Sequence, residues 1–355
     1  MAGLQEPARL WRPPIRAKKP VTPTSAGVDE KRTSIPNAMY RYRLCTESDF
    51  AHCAAFLRDH GHFACPSETW QRMPEVWSRW LKQDALNAVF WEDLAEPDEH
   101  RRRLGYGLSV AVSEVFAAQL QRQPIPYVGN ALYAAPFGPH SPVLERRGIA
   151  EANAGDGLNV VMLHNPLRYT DVEHPVFRAL MPHGMNAWYA THAGHYFKRI
   201  FWENYGNALA DINRKGSFRD IADFSADPRF ASLPEPARPI LQIMQRPTRL
   251  DGVYAADDLW MFHRHWPLLK LTASQQRLLR YALDGNTDQE LALRLALSPS
   301  TIKHTWRAVF ARFEDQLPAL LPALRSGDVN QRGASKRHVV LEYLRQNLHE
   351  LRPYA

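Results

Sequence analysis

Residues 271–313 read LTASQQRLLRYALDGNTDQELALRLALSPSTIKHTWRAVFARF, and the rest of the chain is interpreted outward from them. Three short helices are written in this stretch. Thr272 or Ser274 is placed to cap the first, whose Leu278, Leu279, Ala282 and Leu283 keep a helical period. Gly285 with Asn286 ends it, since both tolerate the left-handed backbone that a helix C-terminus often needs. Thr287 caps the second helix, with Glu290 three residues on at capping-box spacing, and Leu291, Ala292 and Leu295 give that helix a narrow apolar face. Ser298 supplies a capping oxygen for the third, and Pro299 fits its first position, where no amide donor is needed.

Helix, tight turn and helix describe a helix-turn-helix. Ile302, Val309 and Phe310, with Trp306 or Phe313, form one face of the third helix. Lys303, His304 and Arg307 share the other, as a helix seated in a major groove requires. Ser298, Ser300 and Thr301 bring hydroxyls and free amides to its N-terminus, where phosphate can bind, and Arg312 lies further along, nearer the DNA backbone. The segment resembles the C-terminal DNA-binding domain of LuxR/NarL-type bacterial regulators. Leu271, Thr272, Leu279, Gly285, Glu290, Leu291, Ala292, Leu295, Ser298, Thr301, Ile302, Lys303 and Val309 fall in register with that family. Gln275 or Gln276 stands in place of an early Glu, and Thr305 in place of a His. The resemblance implies that Lys303, His304 and Arg307 reach base edges. It also implies binding to double-stranded DNA as a homodimer.

The 355 residues suffice for two domains. A formal charge of +7 suits an anionic partner without identifying one. Cys45, Cys53 and Cys65 form no disulfide framework, which points to a reducing cytoplasm. No apolar run is long enough to span a membrane.

Residues 1–38 read as a disordered basic arm around Arg12, Arg16, Lys18 and Lys19. Residues 39–225 read as a mixed α/β domain for sensing or dimerisation, and 226–267 as a proline-rich linker. Residues 268–355 read as the all-α helix-turn-helix domain with a further C-terminal helix over Ser335 to Leu348. The whole is therefore expected to be α+β. Strands are expected over Tyr40–Cys45, Leu86–Trp91, Leu104–Val112 and Leu158–Leu163. Helices are expected after Thr46 and Ser67, and one long helix over Trp188–Tyr205. This order loosely resembles the acyl-CoA-dependent acetyltransferase fold. That family grips pyrophosphate with an R/Q-x-x-G-x-G/A loop after its central strand, where this sequence has His164, Asn165, Pro166 and Leu167. The nearest substitute, Arg147-Gly148-Ile149-Ala150, precedes the strand. A shared fold would then have lost its cofactor grip and serve as a sensor or dimerisation body.

His52, Cys53, His60, His62 and Cys65 are the best metal-ligating candidates, but their spacing matches no standard zinc site, and no metal is expected. His183, His192 and His195 are candidates for lining a ligand pocket. Neither a phosphate loop, a nucleophile elbow nor a catalytic carboxylate pair is present. The expected function is a sequence-specific DNA-binding transcriptional regulator, not an enzyme, with no cofactor, no membrane association and a small-molecule effector as a candidate ligand. The alternative is an acyl-CoA-dependent acyltransferase-like enzyme with an appended DNA-binding module.

Overall fold

A computed structural model describes residues 39–138, 140–246, 260–320 and 329–354. The basic arm over 1–38 and positions 247–259 of the expected linker lie outside the described residues. The strands are β1 (Tyr40–Leu44), β2 (Leu86–Asp93), β3 (Arg103–Val112), β4 (Leu158–His164), β5 (Phe197–Tyr205), β6 (Arg219–Asp223) and β7 (Pro239–Gln245). The helices of the sheet domain are α1 (Phe50–His60), α2 (Ser67–Lys82), α3 (Glu99–Arg102), α4 (Glu114–Arg122), α5 (Val128–Ala134), α6 (Arg146–Ala154), α7 (Pro175–His192) and α8 (Asn207–Lys215). Beyond them come α9 (Ala273–Leu283), α10 (Asp288–Arg294), α11 (Pro299–Gln316) and α12 (Val329–Gln346).

All seven strands form one sheet in the order β1-β2-β3-β4-β5-β7-β6. Every neighbouring pair is antiparallel except β4 and β5, which run parallel. Alternation along the strands sends Phe90, Tyr106, Leu108, Val161 and Phe201 to one face, where α1, α2, α4 and α5 cover them. Trp77 of α2 is fully buried there, and a side chain of that size contributes roughly 1.5–3 kcal/mol by leaving water. The opposite face carries Val89 and Trp91 under Val176, Phe177, Leu180 and Ala187 of α7. Val160, Ile200 and Met244 lie under Ile149 of α6 on the same side.

Two expectations are corrected. The long helix over 188–205 is instead the end of α7 followed by β5, divided at Gly194, whose φ of 81° no helix accommodates. The proline-rich linker contains β7, which Pro239 can open because a strand's first residue need not donate to the ladder.

Helices α9 to α12 bury a core of their own around Leu279, Leu291, Ile302, Val309, Phe313, Val340 and Leu344. The expected punctuation is present. Thr272 with Gln275 and Thr287 with Glu290 form reciprocal capping boxes, and the Ser298 hydroxyl accepts from the Thr301 amide at 3.1 Å. Gly285 adopts φ 86° after α9.

This helical unit is docked on the sheet domain by its last residues. Arg352 is buried, and its guanidinium donates to the carbonyls of Ala193 at 2.5 Å and Ala190 at 2.7 Å, which lie at the C-terminus of α7. A cation is favoured there by the helix dipole. Gln276 of α9 donates to the Arg352 carbonyl at 2.8 Å and accepts from Arg146 at 2.5 Å. Asp84 is shared by Arg146 at 3.2 Å and Arg280 at 3.8 Å. At Gly194 an added Cβ would stand 2.3 Å from Cβ of His349. Gly194→Ala is therefore expected to destabilise the protein by roughly 2–4 kcal/mol, combining left-handed strain with overpacking. A urea midpoint unchanged from the parent would show that the dock does not need this close approach.

Candidate active site

The functional geometry begins where the parallel pair separates. The β4–β5 ladder runs from Leu158↔Phe197 to Met162↔Trp202 and stops. Beyond it β4 continues to His164, while Glu203, Asn204 and Tyr205 of β5 pair only with β7. The departing end of β4 crosses toward β3 instead, with Leu167 bridged to Gly105. Glycine is needed at 105, because a Cβ would lie 2.6 Å from the Pro166 carbonyl oxygen and from Leu167. The result is a wedge between two adjacent strands, open to both faces of the sheet.

A cleft of about 110 Å³ occupies the wedge, lined by His60, His62, His164, Asn165, Glu203 and Tyr205 among others. It adjoins a groove of about 390 Å³ between α7 and α8, and the two share Met162, Asn165, Leu167, Met181, Trp202, Ile212 and Asn213. Methionine and tryptophan dominate the groove, with Trp91, Met185, Trp188, Met244 and Met261 added to the shared residues. Such a lining adapts readily to an apolar stem. Three buried polar atoms there have no hydrogen-bond partner among the described residues: Nε1 of Trp91, Oδ1 of Asn165 and Nδ2 of Asn213. Unpaired buried donors and acceptors are costly, and all three belong to residues that line this groove.

Glu203 is the acid–base candidate of the cleft. Its side chain is partly buried and accepts from the Tyr127 amide and, at 3.1 Å, from the Tyr205 hydroxyl. Tyr127 precedes α5 in the left-handed region at φ 55°, a conformation that costs about 1–3 kcal/mol in a non-glycine residue. Burial pushes the Glu203 carboxyl up, the donors from Tyr127, Tyr205 and Val128 pull it down, and it settles at about 7. A carboxyl poised there suits proton transfer near neutral pH. Tyr205 also packs beside His62, with ring centres 5.9 Å apart and ring planes tilted by 52°.

A second chain of groups fixes the cleft wall. The indole of Trp77 donates to the Tyr133 hydroxyl at 2.9 Å, which meets Nε2 of His164 at 2.7 Å. The Tyr133 proton therefore goes to His164, which burial depresses to about 3 and keeps neutral. On the groove side, the Ser109 hydroxyl meets Nε2 of His192 at 2.8 Å. Burial and then the nearby Arg352 hold His192 at about 3. A base that weak does not activate a serine, so this pair positions the groove wall beside the docked tail.

Of the proposed pocket histidines, His192 lines the groove, His195 is buried toward Arg352, and His183 packs on Tyr40. The metal candidates are not assembled: among the described residues no group of three or more His, Cys, Asp or Glu is placed to hold an ion. On α11, Lys303, His304 and Arg307 are exposed together, opposite buried Ile302, Trp306 and Val309. Ser298, Ser300 and Thr301 are exposed at its N-terminus, with the Ser298 hydroxyl 2.7 Å from Ser300 and 2.8 Å from Thr301. Arg312 is half-buried and donates to the Leu269 carbonyl at 3.2 Å. Glu203 escaped the sequence reading, although an acidic residue between Phe201 and Tyr205 on the buried face of FKRIFWENY is the signal that marks it.

No family model matches the sequence, and no curated protein matches it. Several solved structures resemble it in fold. Arabidopsis thaliana NAA60 in complex with acetyl-CoA aligns at TM-score 0.34 and 13% identity, covering 60% of this chain and 100% of its own. The spermidine/spermine N-acetyltransferase SpeG from Vibrio cholerae aligns at TM-score 0.32 and 7% identity, over 59% of this chain and 95% of its own. A GNAT-family protein from Desulfovibrio desulfuricans gives TM-score 0.30 and 12% identity, over 58% and 99%. The first is described with bound acetyl-CoA, the second as an N-acetyltransferase and the third as a putative acetyltransferase, and none of the three as a DNA-binding regulator. The expectation of a non-enzymatic transcriptional regulator is corrected accordingly. The wedge, its adjoining groove and the raised Glu203 carboxyl lie together at one place in the sheet domain.

Proposed function

We propose that the protein is an acyltransferase-like enzyme carrying an appended helical module. The observation that carries this reading is the opening of β4 from β5 beyond Met162↔Trp202, with an apolar groove on one side and Glu203 on the other. An acyl thioester fits that layout in its arm: an apolar chain bearing amides matches a Met- and Trp-lined groove with one orphan acceptor, Asn165, and two orphan donors, Trp91 and Asn213. A bound thioester supplies an activated acyl carbonyl. Glu203 accepts the proton that an amine acceptor loses as its C–N bond forms and the thioester C–S bond breaks. It then returns that proton to the departing sulfur. His164 stays neutral and orients the wall through Tyr133, while α7 and α8 flank the groove.

The test is binding and turnover together. Short- and medium-chain acyl thioesters are expected to raise the melting temperature saturably, and free thiol is expected to appear only when an amine acceptor is added. Absence of both stabilisation and thiol release across a panel of amines would sink the reading.

For the helical module the partner we propose is double-stranded DNA, with the LuxR-type likeness of α9 to α11 and the exposed Lys303, His304 and Arg307 in support. Arg307→Ala is expected to cost about 1–3 kcal/mol on a preferred site and much less on random duplex. Equal losses on both, in paired titrations at two salt concentrations, would reduce this face to an electrostatic footing.

A further inference from the structure

The groove and the loop at its mouth differ in what they can bind. Around the groove, Trp91, Asn165 and Asn213 each carry a buried polar atom with no hydrogen-bond partner among the described residues. At the head of α7, where a thioester's diphosphate would need backbone donors, the first two helical positions offer none. Pro175 occupies the first helical position and has no N–H, and the Val176 amide is already taken by Nδ1 of His174 at 3.2 Å. Residues 165–174, NPLRYTDVEH, contain no glycine to bring backbone close to a phosphate, and they place Asp171 and Glu173 at the helix start. The nearby cations are engaged. Arg178 pairs with Glu173, and Arg168 donates to the carbonyls of His100 at 2.7 Å and Arg103 at 3.2 Å. Gly105 permits the Leu167 bridge that pulls this segment onto β3, away from any cradle.

We infer that the acyl donor is held by its pantetheine arm alone, and that the nucleotide half of coenzyme A contributes nothing to binding. The inference rests on the acyl-transfer reading and narrows its substrate class. The donor is a pantetheine thioester, either free or presented on a carrier protein, in which the acyl C–S bond breaks and the thiol leaves with the proton delivered by Glu203.

Direct calorimetric titration of the full chain tests this without relying on turnover. Pantetheine and coenzyme A are expected to bind within about threefold of each other, and adenosine 3′,5′-diphosphate is expected neither to bind nor to displace pantetheine. Trp91→Phe, which removes one orphan donor and keeps an aromatic ring, is expected to weaken pantetheine and coenzyme A by the same factor, several-fold. A phosphopantetheine-bearing carrier domain that binds tenfold or more tighter than free pantetheine would identify the carrier as the source, and equal binding would identify the free thioester. Coenzyme A binding thirtyfold or more tighter than pantetheine, or measurable binding of the diphosphate, would overturn the inference while leaving the acyl-transfer reading intact. Failure of pantetheine and coenzyme A alike to bind would overturn both.

Discussion

If the protein transfers acyl groups as proposed, Glu203→Gln is expected to lower kcat/KM by about 10²–10⁴-fold, the usual span for loss of a positioned general base. The substitution keeps shape and removes the ability to take a proton. Because Glu203 in the parent titrates at about 7, kcat/KM there rises with pH as the carboxyl ionises and levels off above that value. The variant loses this limb. Tyr205→Phe provides the complementary readout. Its hydroxyl is one of the donors holding the carboxyl down, so its removal moves the limb to higher pH while activity survives. Stability does not confound the comparison, because the protonated glutamate and the glutamine are both neutral. Matched melting curves below pH 7 check this. A Glu203→Gln enzyme with parental kcat/KM and the same pH limb would remove Glu203 from the mechanism.

Arg352→Ala separates the two halves of the molecule. The parent guanidinium satisfies two carbonyls at the end of α7, that of Ala193 buried and that of Ala190 partly so, and alanine leaves both unpaired beside a cavity. Lost charge-assisted hydrogen bonds and the cavity together cost more than is regained by no longer burying a cation. The expected net loss is about 2–4 kcal/mol. The loss falls on the dock, since the cores of the sheet and of α9 to α12 are separate clusters. Scanning calorimetry is expected to show one transition in the parent and two in the variant. A single transition at the parental temperature would mean that the remaining contacts, such as Gln276 with Arg146, hold the interface unaided.

Legibility in the sequence followed local determination. The strands β1 to β4 and the helices α1, α2 and α9 to α11 were readable because each is announced by alternation or by a cap within a few residues. Thr287 with Glu290 and Ser298 with Pro299 are such signals. The segment 188–205 was misread because Tyr189, Tyr196, Phe197, Ile200, Phe201 and Tyr205 satisfy a helical period by chance of spacing. What breaks it is Gly194, held open for His349, a residue far along the chain. Strand β7 was hidden by the prolines around it. The wedge could not be read at all, since it is a relation between two strands and a bridge to a third, Gly105↔Leu167. The stretch at 60–65 offers candidate metal ligands without a standard spacing; in the structure His60 and His62 line the cleft, His62 beside Tyr205 and His60 against Phe56.

The distance in sequence between Arg352 and the carbonyls it satisfies, 159 and 162 residues, becomes a time when the chain is made. At synthesis rates of about 5–20 residues per second, the end of α7 waits roughly 10–30 s for its cap. Throughout that interval the groove wall that includes His192 has one unfinished edge, and the nascent sheet domain must keep it from other chains. Slow translation across α9 to α12 lengthens this exposure, so codon usage far from the groove bears on how cleanly the groove is formed.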